Sequence, residues 1–374
     1  MILLLLDAAR EDFFEWDAES RKHTRLDPNR PEEFKHKRIS IFRELMEQQP
    51  MNAFFFPVES ALPTLTATRT KSFVSGAVGN VYEMQGDYSM PVENFEDNIL
   101  YQTHQLFPEG LDLHGDHLWR DYYGKFWNTM DWQNYPIELN EELYEDQKVM
   151  ERLLADLESR RDFKLKLVHL IGMDGGGHFY KDLNSEEFKE RVVALDTHTR
   201  ALIEAMDDKT TLLAFGDHGV ATDGSHGGIE EHEIRTFMFA YQKKPFPMHK
   251  YYTSHKDAFF DVDHRVKVND FAATVSLLMD QAFPFSNMGI AHPAFAPFSN
   301  LPKLFGRMLQ NLEQMSGLIQ AYCDEYENIW CTLQDSKALD AKVDEYKKID
   351  VTRKNEKEVL DLILQMHEFG NGQY

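Results

Sequence analysis

The sequence predicts an α/β fold: three layers, α/β/α, around a mostly parallel central sheet, with an α-helical tail behind it. Two observations predict the sheet and its helices. Short apolar runs alternate with amphipathic stretches at helical spacing, as in βαβ units. The first run, "ILLLL" at Ile2–Leu6, is continuously apolar, which suits a parallel strand buried on both faces. A third observation predicts the tail. From Leu304 the apolar residues Met308, Leu312, Met315, Ile319 and Tyr322 keep helical spacing, and no proline follows Pro302.

In chain order, strands are expected at Ile2–Leu6, Ala53–Phe56, Leu165–Ile171, Thr211–Phe215 and Thr236–Ala240. Helices are expected at Glu32–Glu47, Glu141–Ser159, Ser185–Met206 and Asp270–Met279. No internal repeat or low-complexity linker interrupts the chain. The resulting division is a catalytic-size α/β domain over 1–300 and amphipathic helices over 301–374, packed on it rather than forming a coiled coil, because charges break any sustained heptad.

Composition narrows the partners. With 63 acidic against 40 basic residues the formal net charge is -23, which argues against nucleic acid, since phosphate backbones are held by clustered Lys and Arg. No apolar run reaches the roughly 18 residues of a membrane span. "MILLLLDAAR" lacks a basic leader and is too short for a signal peptide. A central strand starting at residue 1 instead predicts that the natural chain begins upstream. Cys323 and Cys331 on one helix would stand about 12 Å apart, so no disulfide is expected. No Asn-x-Ser/Thr acceptor occurs, and the compartment is not legible from composition.

The chemistry sits at strand ends, where open parallel sheets gather their functional residues. Asp7 follows "ILLLL"; Asp174 follows "KLKLVHLIGM", with His178 four residues on; Asp217 and His218 follow "TLLAF", with His226 in the glycine-rich turn beyond. Carboxylate and imidazole together suit zinc or manganese. Two such ions about 4 Å apart can activate a nucleophile and stabilise both oxygens of an in-line displacement at phosphorus. Thr64, directly after Pro63 and at an expected helix start, is the candidate nucleophile, since a helix N-terminus favours phosphate. Each element alone has a plainer reading: a lone Asp caps a helix, Pro-Thr opens one, and His169 inside a strand is a satisfied core histidine. Their joint order carries the functional reading.

That order resembles the alkaline phosphatase superfamily, and most closely the luminal catalytic domain of the GPI ethanolamine phosphate transferases. The similar stretches are "LLDAARED", "PTLTATRTKSFVSG", "EDNILYQ", "GDHLWRDYYGKFW", "LVHLIGMDGGGH", "GDHGVATDGSHGG" and "PFSNMG", spread over residues 1 to about 290. "HGG" and "EDNIL" look more like the third-mannose branch, with the second-mannose branch and a metal-dependent phosphodiesterase as alternatives. "GDHLW" departs from the family in placing His117 where relatives mostly carry an acid. The resemblance implies an alkaline-phosphatase-like fold and two divalent ions, usually zinc. Asp174, His178 and His226 would hold one; Asp7, Asp217, His218 and the Thr64 hydroxyl the other. It implies Thr64 attacking phosphorus, with Arg69 and Asp116 as substrate-binding candidates. It also implies phosphatidylethanolamine and a GPI precursor glycolipid as substrates, and a small membrane-protein subunit as partner. The place implied is the luminal face of the endoplasmic reticulum membrane, and this chain is then the part of such an enzyme without its transmembrane segments. A domain that has lost catalysis and serves as a subunit is a third reading, disfavoured because every ligand type is present.

Overall fold

The structure is a computed structural model that describes residues 1–15, 38–79, 97–133, 141–159, 162–252, 266–325 and 334–371. The chain forms two compact units. One comprises Met1–Thr70, Gly79–Glu93 and Thr103–Pro245; the other comprises Lys71–Val78, Asn94–Gln102 and Phe246–Tyr374.

The first unit is built on strands β1 (Ile2–Leu6), β2 (Ala53–Glu59), β3 (Leu111–Asp116), β4 (Thr129–Gln133), β5 (Leu165–Leu170), β6 (Thr211–Phe215) and β7 (Arg235–Gln242). Within the unit they lie in the order β4-β3-β5-β1-β6-β7-β2. The pairings β4–β3, β3–β5, β5–β1 and β1–β6 are parallel, while β7 runs antiparallel to both β6 and β2. β1 sits at the centre, buried along its whole length, as its unbroken apolar run requires. The register matters most for function. Leu5 pairs with His169 on one side and Phe215 on the other, so β5, β1 and β6 end level with one another.

Strands β1 and β6 have the expected bounds, and β2, β5 and β7 lie where expected with ends shifted by one to three residues. Strands β3 and β4 were not expected. β3 reads "LDLHGD", and its buried Asp112 and His114 break the apolar run by which a strand is recognised. They are tolerated because Asp112 is paired: the fully buried Lys166 donates to its Oδ2 at 2.6 Å and also bonds Asp156 from the helix Glu141–Glu158. A buried ion pair thus stands where an apolar contact would make the pattern visible.

The helices Glu141–Glu158 and Glu186–Ala205 match expectation to within a residue at each end. Ser185 caps the second, accepting the Phe188 N–H at 3.2 Å. The helix expected over Glu32–Glu47 is found at Ile41–Gln48, residues 32–37 lying outside the described residues. Asp196 Oδ1 takes the N–H groups of Ser40 and Ile41 at 3.0 and 3.1 Å and so fixes its start. On the same side of the sheet, Phe42 stacks on Phe239 at 3.9 Å between ring centres.

The second unit holds the helices Asp270–Leu278, Leu301–Glu325, Gln334–Lys347 and Glu356–Asn371, the last three bearing out the helical expectation for the tail. Leu304, Met308, Leu312 and Met315 are fully buried, whereas Tyr322 is exposed. The expectation of no disulfide is overturned: Cys323 is disulfide-bonded. That expectation took both cysteines as lying on one straight helix; Cys331 lies outside the described residues. Among the described residues, no helix is long and apolar enough to cross a membrane.

Candidate metal centre

The level ends of β1, β5 and β6 deliver the site. Just past β1, Asp7 donates its N–H to Leu170 O at 3.0 Å, continuing the ladder one residue beyond the strand. Just past β6, Asp217 accepts the Ala8 N–H on Oδ1 at 3.1 Å, which ties the two strand ends together. His218 follows, and Asp7, Asp217 and His218 form one buried group with a ligand atom from each within 4.8 Å of the others. Gly219 is required here, because a Cβ would fall 2.0 Å from His232 O.

After β5 the chain enters the helix Gly172–Tyr180, which places Asp174 and His178 four residues apart on one face. The loop after His218 lies on that helix: Gly224 has φ 78°, and a Cβ there would fall 1.8 Å from Gly177 O. This contact brings in His226. Its Nε2 stands 3.1 Å from Asp174 Oδ1 and 2.9 Å from His178 Nε2, and Asp174, His178 and His226 make the second group. The His218 and His226 rings stack with centres 4.2 Å apart, so the two groups adjoin.

The donor set suits a divalent cation. His218 Nδ1 lies 2.8 Å from Gly219 O, and His226 Nδ1 lies 2.8 Å from Thr64 O. In the neutral ring the nitrogen facing a carbonyl carries the proton, which leaves Nε2 with the lone pair a metal ion would take. Those lone pairs point at carboxylates, 3.3 Å to Asp217 Oδ2 for His218 and 3.1 Å to Asp174 Oδ1 for His226. Two acceptors at that separation repel unless a positive charge stands between them. Among the described residues, the fully buried Asp217 Oδ2 has no hydrogen-bond donor. Carboxylate oxygen and imidazole nitrogen in this arrangement are the ligands divalent ions such as zinc take.

The ionisation of the metal-free chain tells the same story. Burial, then the charges of Asp217 and Asp174, pushes the Asp7 carboxyl well above the usual range. Burial opposes the charged form of His226, but its bond to Asp174 outweighs that and carries it up to about 9. Burial likewise opposes the charged form of Asp174, yet the bond from His226 and the neighbouring imidazoles hold its carboxyl below the usual range. Protons thus collect where cations would.

His169 is the satisfied core histidine expected, and it also orients a ligand. Trp119 Nε1 donates to its Nδ1 at 3.1 Å, so its Nε2 carries the proton and donates to Asp7 Oδ2 at 3.0 Å. Asp116, at the end of β3, is a fourth strand-terminal aspartate. It accepts the Leu118 N–H at 2.8 Å. The register of Gly115 with His169, and of His169 with Leu5, sets it about two strand spacings, on the order of 10 Å, from Asp7. It joins neither ligand group. Burial works against its charge, but its bond to His117 and the nearby His169 keep it ionised, below the ordinary value.

Two of the expected residues have partners the sequence did not suggest. The Thr64 hydroxyl accepts the Gly227 N–H at 2.8 Å and donates to Gly228 O at 3.2 Å. Thr66 takes the place foreseen for it, with Oγ1 at 3.3 and 3.5 Å from the Asp7 oxygens and 3.4 Å from His218 Nε2. The sequence placed the helix start at Pro63-Thr64, whereas the helix starts at Thr66. The sequence signal for Thr66 was present in "PTLTATR", where hydroxyls recur two residues apart. Arg69 is also placed differently: it is fully buried and donates to Leu62 O at 3.3 Å, bracing the turn rather than opening toward a substrate.

Comparison with known proteins adds the lineage. The model of the type I phosphodiesterase / nucleotide pyrophosphatase family matches residues 25–233, a span containing every residue of the two groups except Asp7. The chain is 25% identical over 297 residues to the Saccharomyces cerevisiae protein GPI ethanolamine phosphate transferase 3, covering 77% of this chain and 28% of that one. It is likewise 25% identical to the human GPI ethanolamine phosphate transferase 3, catalytic subunit, over 77% of this chain and 25% of that one. The chain therefore spans little more than a quarter of the length of these relatives. Among solved structures it is similar to the soluble domain of lipooligosaccharide phosphoethanolamine transferase A from Neisseria meningitidis, with TM-score 0.50 and 15% identity over 80% of this chain and 91% of that one. A 2-O GAG sulfatase gives TM-score 0.52 and 13% identity over 79% of this chain and 74% of that one. These likenesses bear out the alkaline-phosphatase-like α/β class expected from the sequence.

Proposed function

Because the chain belongs to the type I phosphodiesterase / nucleotide pyrophosphatase family, we propose that it is the catalytic portion of a metal-dependent GPI ethanolamine phosphate transferase. It moves phosphoethanolamine from phosphatidylethanolamine to a mannose of the GPI precursor glycolipid, and the third-mannose type is favoured by the relatives it resembles. Residues 1–300 are the catalytic domain and 301–374 the helical tail, which in the relatives precedes a membrane region. A disulfide at Cys323 suits an oxidising compartment, which supports the endoplasmic reticulum lumen. A small membrane-protein subunit completes the assembly.

One observation carries the reading: a hydroxyl, Thr66 Oγ1, stands among buried ligands at the start of a ten-residue helix. Asp7, Asp217 and His218 would hold one divalent ion beside Thr66, and Asp174, His178 and His226 the other, zinc being the ion these ligands suit. Bound there, the ions supply charge that favours the Thr66 alkoxide and the oxygens on phosphorus.

Thr66 Oγ attacks phosphorus, a P–O bond forms, and the P–O bond to the glyceride oxygen breaks. The hydroxyl proton leaves and the glyceride oxygen gains one, releasing diacylglycerol and leaving phosphoethanolamine on Thr66. The helix N-terminus favours the phosphate. A mannose hydroxyl then attacks the same phosphorus, loses its proton, and Thr66 Oγ departs and is reprotonated. The double displacement divides one difficult transfer into two easier ones.

Incubation with labelled phosphatidylethanolamine and acid quench tests the assignment: label on the wild-type chain at Thr66, and none on Thr66→Ala, is the result expected. Label retained on Thr66→Ala would overturn it. A second reading, a phosphodiesterase in which water resolves the intermediate, is favoured by the family match itself; free phosphoethanolamine as sole product in the presence of a mannose acceptor would select it.

A further inference from the structure

We propose that Thr64 and Glu233 form a positioning clasp, locking the loop of His226, Gly227 and Gly228 to the turn that carries Thr66 and so aiming His226 at the second ligand group. The inference rests on the metal reading for its consequence, but its geometry stands apart from it.

Three polar backbone groups of the loop, Gly227 N, Gly228 N and Gly228 O, are taken by these two residues. The fully buried Thr64 hydroxyl accepts from Gly227 N at 2.8 Å and donates to Gly228 O at 3.2 Å, while the Thr64 carbonyl accepts from His226 Nδ1 at 2.8 Å. The buried Glu233 carboxylate accepts from Gly228 N on Oε1 at 2.9 Å and from Glu230 N on Oε2 at 2.8 Å. The fit is close: Gly227 has φ 103°, and a Cβ on Gly228 would fall 2.6 Å from Glu233 Oε2.

With its proton on Gly228 O and a lone pair taking the Gly227 N–H, the Thr64 hydroxyl is tied to this loop. Its value is positional. Thr64 lies two residues before Thr66, whose hydroxyl stands in the first ligand group, and its carbonyl fixes the tautomer of His226, which belongs to the second. One dipeptide step therefore sets the two groups relative to each other. Outer partners of this kind ordinarily govern metal affinity by about 10–100-fold.

The test uses the full chain, stripped with chelator and titrated with zinc against a competing indicator, together with amide exchange at Gly227 in the metal-free chain. Thr64→Val is expected to weaken one of the two zinc sites about 10–100-fold and spare the other. It should also accelerate Gly227 exchange at least about tenfold. Thr64→Ser restores both, and adding Thr64→Val to His226→Asn costs no further zinc affinity while still accelerating Gly227 exchange. Glu233→Gln weakens the same site, and if Thr64→Val does not fold, this variant decides by the same two readouts. Wild-type zinc affinity and unchanged Gly227 exchange in Thr64→Val would overturn the clasp. A wild-type chain that takes up no zinc, yet whose Gly227 exchange depends on Thr64, would support the clasp and sink the metal reading.

Discussion

The two ligand groups share their chemistry and differ in how the fold supports them. Asp7, Asp217 and His218 are buried, fixed by strand register and by bonds to Ala8, Leu170 and His169. Asp174, His178 and His226 lie on a helix and a loop, with the His178 side chain 47% exposed. The first group is a product of the sheet and cannot yield without disturbing it. The second is assembled by contact between a helix and a loop and can be loosened alone. The buried group should therefore be tight and coupled to folding, and the other weaker and separable.

The largest effect is expected from Asp217→Asn. It removes charge from a fully buried carboxylate that faces His218 at 3.3 Å while keeping the shape that receives Ala8 N–H. Zinc at the buried group should fall by more than the roughly 100-fold that outer-shell partners govern. The metal-free variant should meanwhile melt no lower than the metal-free wild type, since a repulsive charge near Asp7 has gone. Calorimetric titration and thermal melts in chelator check both halves; a lower metal-free melt would show that the carboxylate is structural.

His178→Ala is the matched change in the second group. The side chain is half exposed, so its loss should leave the metal-free melt unchanged while weakening one ion about 10–100-fold. Equal damage to both ions would break the comparison and make the pair a single cooperative site.

Acidity separates the groups further. His226 is raised from 6.5 to about 9, so the metal-free fold binds a proton there that the unfolded chain gives up earlier. The stability this confers is complete below pH 6.5 and lost as pH rises through about 9, on the order of 3 kcal/mol in all. Zinc displaces that proton, so its affinity for the second group should climb about tenfold per pH unit up to about pH 9. Melts from pH 6 to 9 should thus slope downward in chelator and upward in zinc, and His226→Asn should flatten the chelator curve.

How much of this was legible in the sequence follows the same division. The strand ends were readable because continuous apolar runs stop sharply at Asp7 and Asp217, and the ligand types could be listed in order. What escaped was set by contacts between segments. β3 was hidden by Asp112 and His114; Asp112 is buried against Lys166 from another strand. Thr66 was hidden behind Thr64, because only the Gly227 and Gly228 backbone decides which hydroxyl is engaged. Local pattern shows where a chain segment ends; it does not show which remote atoms meet it there.

The smallest effect is expected at the outer edge of the buried group. Trp119→Phe removes the indole N–H that His169 Nδ1 accepts at 3.1 Å, in a residue with no solvent exposure. The ring can then carry its proton on either nitrogen, and the tautomer that donates to Asp7 Oδ2 at 3.0 Å is no longer enforced. Zinc affinity at the buried group should fall about tenfold, the low end for an outer partner, with the second group unaffected. Because the indole also fills core space, some loss of melting temperature is expected in any case, so His169→Gln serves as the control. It can still donate to Asp7 through its amide and should bind zinc better than Trp119→Phe/His169→Ala. If all three variants bind zinc alike, the relay from Trp119 through His169 does not reach the metal ligands, and burial alone accounts for the tightness of the first group.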